Sequence, residues 1–281
     1  MTACNVTRPR AILRDALSTP LINSSSGVGM QRLDQLLVTQ GWARSRTRAQ
    51  RLIRHGRVTL ISADPPRTLT KPGEKVADDS CFQLAEDPEE RYVSRAGLKL
   101  EAVLETLGLR LEGMAVLDVG QSTGGFTDCA LRYGAASVVG IEVGRDQLDA
   151  SLREDERVIC LEGVNARALP RERLATLAPK GLHVAVMDVS FISQTLILPQ
   201  LAAVLSPGAH LVSLVKPQFE VGPHKVDAHG IVRDPALYAA VEARIRESCA
   251  EAGFEIRHWQ ESPLRGGDGN REFLLHAVKS I

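Results

Sequence analysis

Residues 117–126 read LDVGQSTGGF, an apolar run that ends in Asp118 and is followed by glycines at 120, 124 and 125. Glycine removes the side chain that would keep a ligand off the backbone, and it accepts the left-handed turns such contact needs. Gly120, Ser122, Gly124, Gly125 and Phe126 are therefore candidates for a loop that cradles a ligand, with the Asp118 carboxylate at its root. The loop is not the Gly-x-Gly-x-x-Gly of dinucleotide folds, because position 122 is serine. Glu142 ends the next apolar run, placed to accept from a ribose diol. Asn165 follows the run after that, placed near an adenine edge. A carboxylate at Glu142 suits either NAD or S-adenosylmethionine. Asp118 and the Gly-x-x-x-Gly-Gly spacing favour S-adenosylmethionine, whose ammonium wants acceptors where a pyrophosphate wants a helix N-terminus.

Four more residues could hold or move a proton. They are Lys99 in YVSRAGLKLE, Asp188 in VMDVSFIS, Lys216 in LVKPQFE and Glu272 in GNREFLL. Taken singly, Lys99 or Glu272 reads as a surface charge and Asp188 as a helix cap. As a set of two cations and two anions they matter only if the fold gathers them.

The elements that could do so begin at residue 92. A helix is expected at 96–108, and strands at 114–119, 137–142, 157–161, 183–188, 209–216, 254–259 and 271–278, with helical stretches between. This alternation predicts an α/β fold, a Rossmann-like, doubly wound parallel sheet with an antiparallel last strand. Ligands in such sheets sit at the carboxyl ends of the strands. Asp188 and Lys216 end the fourth and fifth strands. Glu272 begins an antiparallel one and so reaches the same edge, and Lys99 lies on the helix before the first. Pro217 keeps the backbone of Lys216 extended.

The amino-terminal part differs. Residues 1–29 are polar and rich in glycine and serine, which predicts a disordered extension, with Met30 a candidate start of translation. Residues 30–85 suggest a small α+β domain. Leu33, Leu36 and Leu37 mark one helix. Ser45 caps a second, with Ala49, Leu52 and Ile53 inside, and 56–61 and 75–84 read as strands. Arg44, Arg46, Arg48, Arg51, Arg54 and Arg57 fall between residues 42 and 58 with no acid among them. Such a stripe, beside Trp42 and His55, favours phosphate contact over an idle solvated face. Residues 86–91 form an acidic, proline-containing linker, and 92–281 the larger domain.

Composition narrows the class. The chain has 281 residues, 44% hydrophobic and 24% charged, with 34 basic and 34 acidic side chains, so net charge points to no partner. Five scattered cysteines without a zinc-like spacing read as reduced thiols of a cytoplasmic protein, with no metal site. No apolar run approaches the length of a membrane span, and no secretion signal or amphipathic membrane element is visible.

With these residues in view, the chain resembles two known groups. The stretch 30–85 is similar to the RNA-binding domain first seen in ribosomal protein S4, departing from it after Leu60, where ISADPPRTLTKPGEKV replaces a short turn. The whole layout, with YVSRAGLKL, DVGQSTGGFTDC, DVSFIS, KPQFE and GNREFLLH, resembles the TlyA family, whose catalytic domain is of the FtsJ/RrmJ type. That family is known as rRNA (cytidine-2′-O)-methyltransferases and is also labelled hemolysin A. The resemblance implies a catalytic tetrad of Lys99, Asp188, Lys216 and Glu272. It implies an S-adenosylmethionine pocket lined by Asp118, Gly120, Gly124, Glu142 and Asp188, and ribosomal RNA or ribosomal subunits as partner. Its older label implies a pore former, for which the sequence offers no membrane element, and a catalytically inactive binding protein would not need all four tetrad residues. Two departures lie beside the expected cofactor: Gln121, where a small residue is common, and VGRDQLD at 143–149. Methyl transfer to a ribose hydroxyl sets its difficulty at the nucleophile. Lys216 is the candidate base or steering group, with Lys99 expected as a repelling neighbour and Asp188 and Glu272 opposing that effect.

Overall fold

The leucine spacing after Met30 does build a helix, but a strand comes first. In a computed structural model the described residues are 29–43, 45–87 and 91–280. The expected extension 1–29, apart from Gly29, lies outside them, as do Arg44 and residues 88–90. The chain divides into two compact units at Pro88 and Glu89.

In the first unit β1 (Met30–Arg32) leads into α1 (Leu33–Thr39), which buries Leu33, Leu36 and Leu37. Then α2 (Arg46–Arg54) starts at Ser45, whose Oγ accepts from the Arg48 N–H at 3.3 Å. Its Ala49, Leu52 and Ile53 face the same core. The strands are β2 (Val58–Leu60), β3 (Arg67–Leu69), β4 (Lys75–Ala77) and β5 (Phe82–Leu84). β2 pairs antiparallel with β3 and β5, while β4 pairs with β1. The single strand expected at 75–84 is thus two strands in different sheets. Asp78, Asp79 and Ser80 break it, residues whose short polar side chains favour a turn. β3 falls in the 61–74 stretch, where no element was expected.

The second unit opens with α3 (Ala96–Leu107), β6 (Ala115–Val119), α4 (Gly125–Arg132), β7 (Ser137–Glu142), α5 (Ala150–Arg153) and β8 (Val158–Glu162). It continues with α6 (Arg171–Leu177), β9 (Leu182–Met187), α7 (Leu198–Val204), β10 (Leu205–Val215) and α8 (Pro217–Glu220). It closes with α9 (Ala236–Glu251), β11 (Phe254–Glu261) and β12 (Phe273–Lys279). The seven strands lie in the order β11-β12-β10-β9-β6-β7-β8. β6 to β10 are parallel, and β12 runs antiparallel to both β10 and β11. The central strands are buried on both faces, which is why they read as near-continuous apolar runs rather than as alternation. β10 starts earlier than expected, and its register against β9 shifts between Leu205 and His210.

Chain order reverses beside β6. From it the chain runs outward through β7 and β8, then returns to place β9 on the other side. The carboxyl ends of β6 and β9 therefore flank a switch point, where an open α/β sheet leaves a crevice. Asp118 and Asp188 stand on its two sides.

Candidate active site

The glycine loop closes this crevice at close range. Gly120 has φ +83°, and a Cβ there would lie 2.6 Å from the Asp188 carbonyl oxygen, so only glycine lets β6 and β9 approach. Ser122 is also left-handed, at φ +47°. Its N–H donates to Glu142 Oε2 at 2.8 Å, and the Gly144 N–H donates to Glu142 Oε1 at 2.7 Å. Each Glu142 oxygen thus keeps a lone pair. Gly124 closes the turn through its N–H to the Gln121 carbonyl at 2.8 Å. Gly125 opens α4 against Ser94 and Ala96, and the Phe126 ring joins the core beneath. Asn165 follows β8, exposed, with Oδ1 accepting from the Arg167 N–H at 3.0 Å.

Asp118 is fully buried. Thr127 Oγ1 donates to its Oδ2 at 2.6 Å, and Gln121 Nε2 donates to Thr127 Oγ1 at 2.9 Å. Oδ1 meets no partner. Burial pushes the carboxyl up to about 7, the Thr127 bond pulls against this, and the charges of Asp188 and Glu142 add to the rise. The Gln121 side chain turns inward, buried, over Gly140 of β7, where any side chain would collide with it. Thr127 carried no sequence signal beyond its place in the first turn of α4.

The four proton-handling candidates come together two by two. Lys99 and Glu272 form a buried ion pair at 2.5 Å. Lys99 is held by α3, which packs on Leu100, Val103 and Leu104, and Glu272 by its place just before β12. Lys216 pairs with Asp188 at 2.7 Å and donates to Ser190 Oγ at 2.9 Å. Pro217 begins α8, a position suited to its missing N–H, so Lys216 projects from the end of β10. Each lysine thus has its own carboxylate, Glu272 for Lys99 and Asp188 for Lys216.

Beside Lys216 sits a residue that spacing alone did not reveal. Phe191 is 91% exposed, has φ +64°, and packs on Phe219 with ring centroids 4.9 Å apart. A bulky residue in that backbone region is strained, and an exposed aromatic ring is costly to leave in water.

The arginine stripe of the first unit is less uniform than its sequence. Arg46 reaches the buried Asp34 of α1 at 3.0 Å, so it is opposed by an acid from outside the 42–58 stretch. Arg32 at 3.0 Å and Gln50 at 2.8 Å share that carboxylate, and the Arg32 bond foremost holds it well below the usual carboxylate range. Arg54 is exposed, and Arg48, Arg51 and Arg57 are half-buried. His55 contacts Asp87 at 3.0 Å. Among the described residues no helix is long and apolar enough to cross a membrane.

Sheet, switch-point crevice and glycine loop define a Rossmann-like methyltransferase fold. Residues 92–279 match the family model for the FtsJ-like methyltransferase, and residues 31–60 match the S4 domain. The chain belongs to the FtsJ-like methyltransferase family. It is 45% identical over 248 residues to "Putative rRNA methyltransferase YqxC" of Bacillus subtilis, covering 88% of this chain and 85% of that one. It is 40% identical over 244 residues to "16S/23S rRNA (cytidine-2'-O)-methyltransferase TlyA" of Mycobacterium tuberculosis, covering 87% and 88%. Among solved structures, "Putative hemolysin from Streptococcus thermophilus" superposes with a TM-score of 0.68 at 39% identity, over 90% of each chain.

Proposed function

We propose that this protein transfers a methyl group from S-adenosylmethionine to a ribose 2′-hydroxyl of RNA, with cytidine in ribosomal RNA as target. The observation that carries this reading is the pair of lysine–carboxylate contacts at the carboxyl edge of the sheet, Lys216–Asp188 and Lys99–Glu272. The activity named for the mycobacterial relative supports the choice of ribosomal RNA and cytidine.

The residues present fit the cofactor. The unpartnered, buried Oδ1 of Asp118 suits an ammonium, the free lone pairs of Glu142 suit a ribose diol, and Asn165 offers an amide for an adenine edge. Gly120, Ser122, Gly124 and Gly125 provide backbone without bulk. When bound, S-adenosylmethionine supplies an electrophilic methyl on a sulfonium that departs as a neutral thioether. No acid is then needed at the leaving group, and the protein's work falls on the ribose hydroxyl, a weak acid. Lys216, held by Asp188 and Ser190, steers that hydroxyl and either takes its proton as the neutral amine or, as the ammonium, stabilises the developing negative charge on oxygen while the proton passes to water. Lys99 and Glu272 complete the tetrad as a desolvated pair. Phe191 offers a face on which the target base can stack. In the S4 domain Arg44, Arg48, Arg51, Arg54 and Arg57 contact phosphates, with Arg46 shared between that task and Asp34.

The test is transfer of tritiated methyl to deproteinised ribosomal RNA and, separately, to isolated ribosomal subunits. A 2′-O-methyl group blocks alkaline cleavage at its own linkage, so label should be recovered in alkali-resistant dinucleotides. Label on mononucleotides would mean base methylation, and no label would refute the reading.

A further inference from the structure

Glu220 is 3% exposed, yet among the described residues no cation pairs with its carboxylate. Its oxygens accept instead from Ser193 Oγ at 2.6 Å and from the Gln194 N–H at 2.8 Å. Gln194 is itself fixed, donating to the Leu214 carbonyl at 2.6 Å and accepting from Ser213 Oγ at 2.8 Å. A buried carboxylate without a cation is costly unless its oxygens are well bonded. Here the bonds tie two segments that are otherwise separate in sequence. Lys216 grips the start of the 188–194 segment through Asp188 and Ser190, and Glu220, one turn later, grips its end. Between the two anchors the backbone passes through the left-handed Phe191, a conformation that persists only where its surroundings over-determine it.

We infer that Glu220 is a positioning residue for methyl transfer and acts through Lys216. Its carboxylate holds the 188–194 segment so that Asp188 and Ser190 present their oxygens to the Lys216 Nζ. This rests on the reading of Lys216 as the group that handles the ribose hydroxyl.

Two variants test it. Glu220→Gln keeps the size and one acceptor but turns an amide N–H₂ toward one of the two donors. Ser193→Ala removes one donor and little else. Turnover at saturating cofactor and RNA should fall about tenfold to a hundredfold for Glu220→Gln, as expected when a reacting group is displaced by an ångström or less. It should fall by a smaller factor for Ser193→Ala. S-adenosylmethionine affinity by calorimetry should stay within about twofold for both, as the cofactor contacts lie elsewhere. In a Lys216→Ala background each substitution should cost less than about twofold, because the group it positions is gone. Unchanged turnover in Glu220→Gln overturns the inference, as does an equal loss in the Lys216→Ala background. Cofactor affinity falling in step with turnover overturns it too, since that marks a general effect on folding. If Glu220→Gln does not fold, Ser193→Ala decides alone, and wild-type turnover there overturns it. Failure of the wild-type protein to transfer methyl would refute the methyltransferase reading first, and is seen without any variant.

Discussion

Asp34 in the first unit and Asp118 in the second are both fully buried, and they behave in opposite ways. Asp34 is met by Arg32, Arg46 and Gln50, and its carboxyl is held well below the ordinary range. Asp118 is met by Thr127 on one oxygen only, and burial lifts it to about 7. Under the proposed function, the difference separates an acid that holds a fold from one that meets the ammonium of the cofactor. Asp34 has its charges supplied by the chain. Asp118 has no basic side chain among its described partners, and its Oδ1 is buried without a hydrogen bond.

The largest effect expected on this comparison comes from neither acid but from another residue of the candidate site that holds Asp118. Lys216→Ala should cut methyl transfer by about a hundred- to ten-thousandfold, the range for losing an acid–base group, while cofactor affinity stays within a few-fold. Asp118→Ala and Glu142→Ala should do the reverse and weaken cofactor binding first. Calorimetry paired with rates at saturating cofactor separates the two patterns. Near-normal turnover in Lys216→Ala would show that the site uses another group.

Asp34→Ala comes next. It strips several charged hydrogen bonds from the S4 domain, worth about 1.5–3 kcal/mol each at most. Because Arg32 and Arg46 are about half exposed and can rehydrate, the total loss should be near a single bond's worth. Thermal unfolding of the whole chain would show it. No change in unfolding would mean that Asp34 is not the structural acid proposed here.

The pH dependences should have opposite signs. Asp34 is depressed in the folded state, so its contribution is present above its unfolded value and is lost as pH falls toward the folded one. Asp118 is raised to about 7, so from about pH 4 to 7 the folded state keeps a proton that the unfolded state has shed. Its contribution to stability therefore declines as pH rises through that window. Cofactor binding should respond the other way, since the ammonium needs the ionised carboxylate. Affinity should rise with pH by up to about tenfold per unit below pH 7 and level off above it. Asp118→Asn should flatten the profile, and a variant that stays pH-dependent would point to another group.

The smallest effect lies on α2. Arg48→Ala and Arg51→Ala should each reduce the salt slope of RNA binding by about 0.7–0.9, one phosphate contact apiece. Arg46→Ala should change the slope less and stability more, because Asp34 engages it. A slope for Arg46→Ala equal to the other two would show that its ion pair with Asp34 does not withhold it from RNA.

Much of the candidate site was legible from strand ends. Strand β7 occupies 137–142 as expected, and Asp118, Glu142, Asp188 and Lys216 fall at or beside carboxyl ends. Such ends are local events, read from where an apolar run gives way to glycine, proline or charge. The first unit was harder. Its strands are three residues long, too short for a period of two to declare itself, and so β4 and β5 were read as one.

The sequence by itself determined the alternation of strands and helices, the edge at which the acids and lysines emerge, and the glycine loop between β6 and α4. Each follows from burial and backbone freedom over a few neighbouring residues. Partnership was decided only in three dimensions. Lys99 and Glu272 are 173 residues apart and meet because β12 is inserted antiparallel next to β10. Gln121 faces inward because Gly140, on the neighbouring strand, leaves it room. Arg46 is neutralised by an acid on another helix, and Glu220 is held by a hydroxyl and an amide that no spacing announces. A charge finds its partner through the path of the whole chain, and pattern along the chain does not contain that distance.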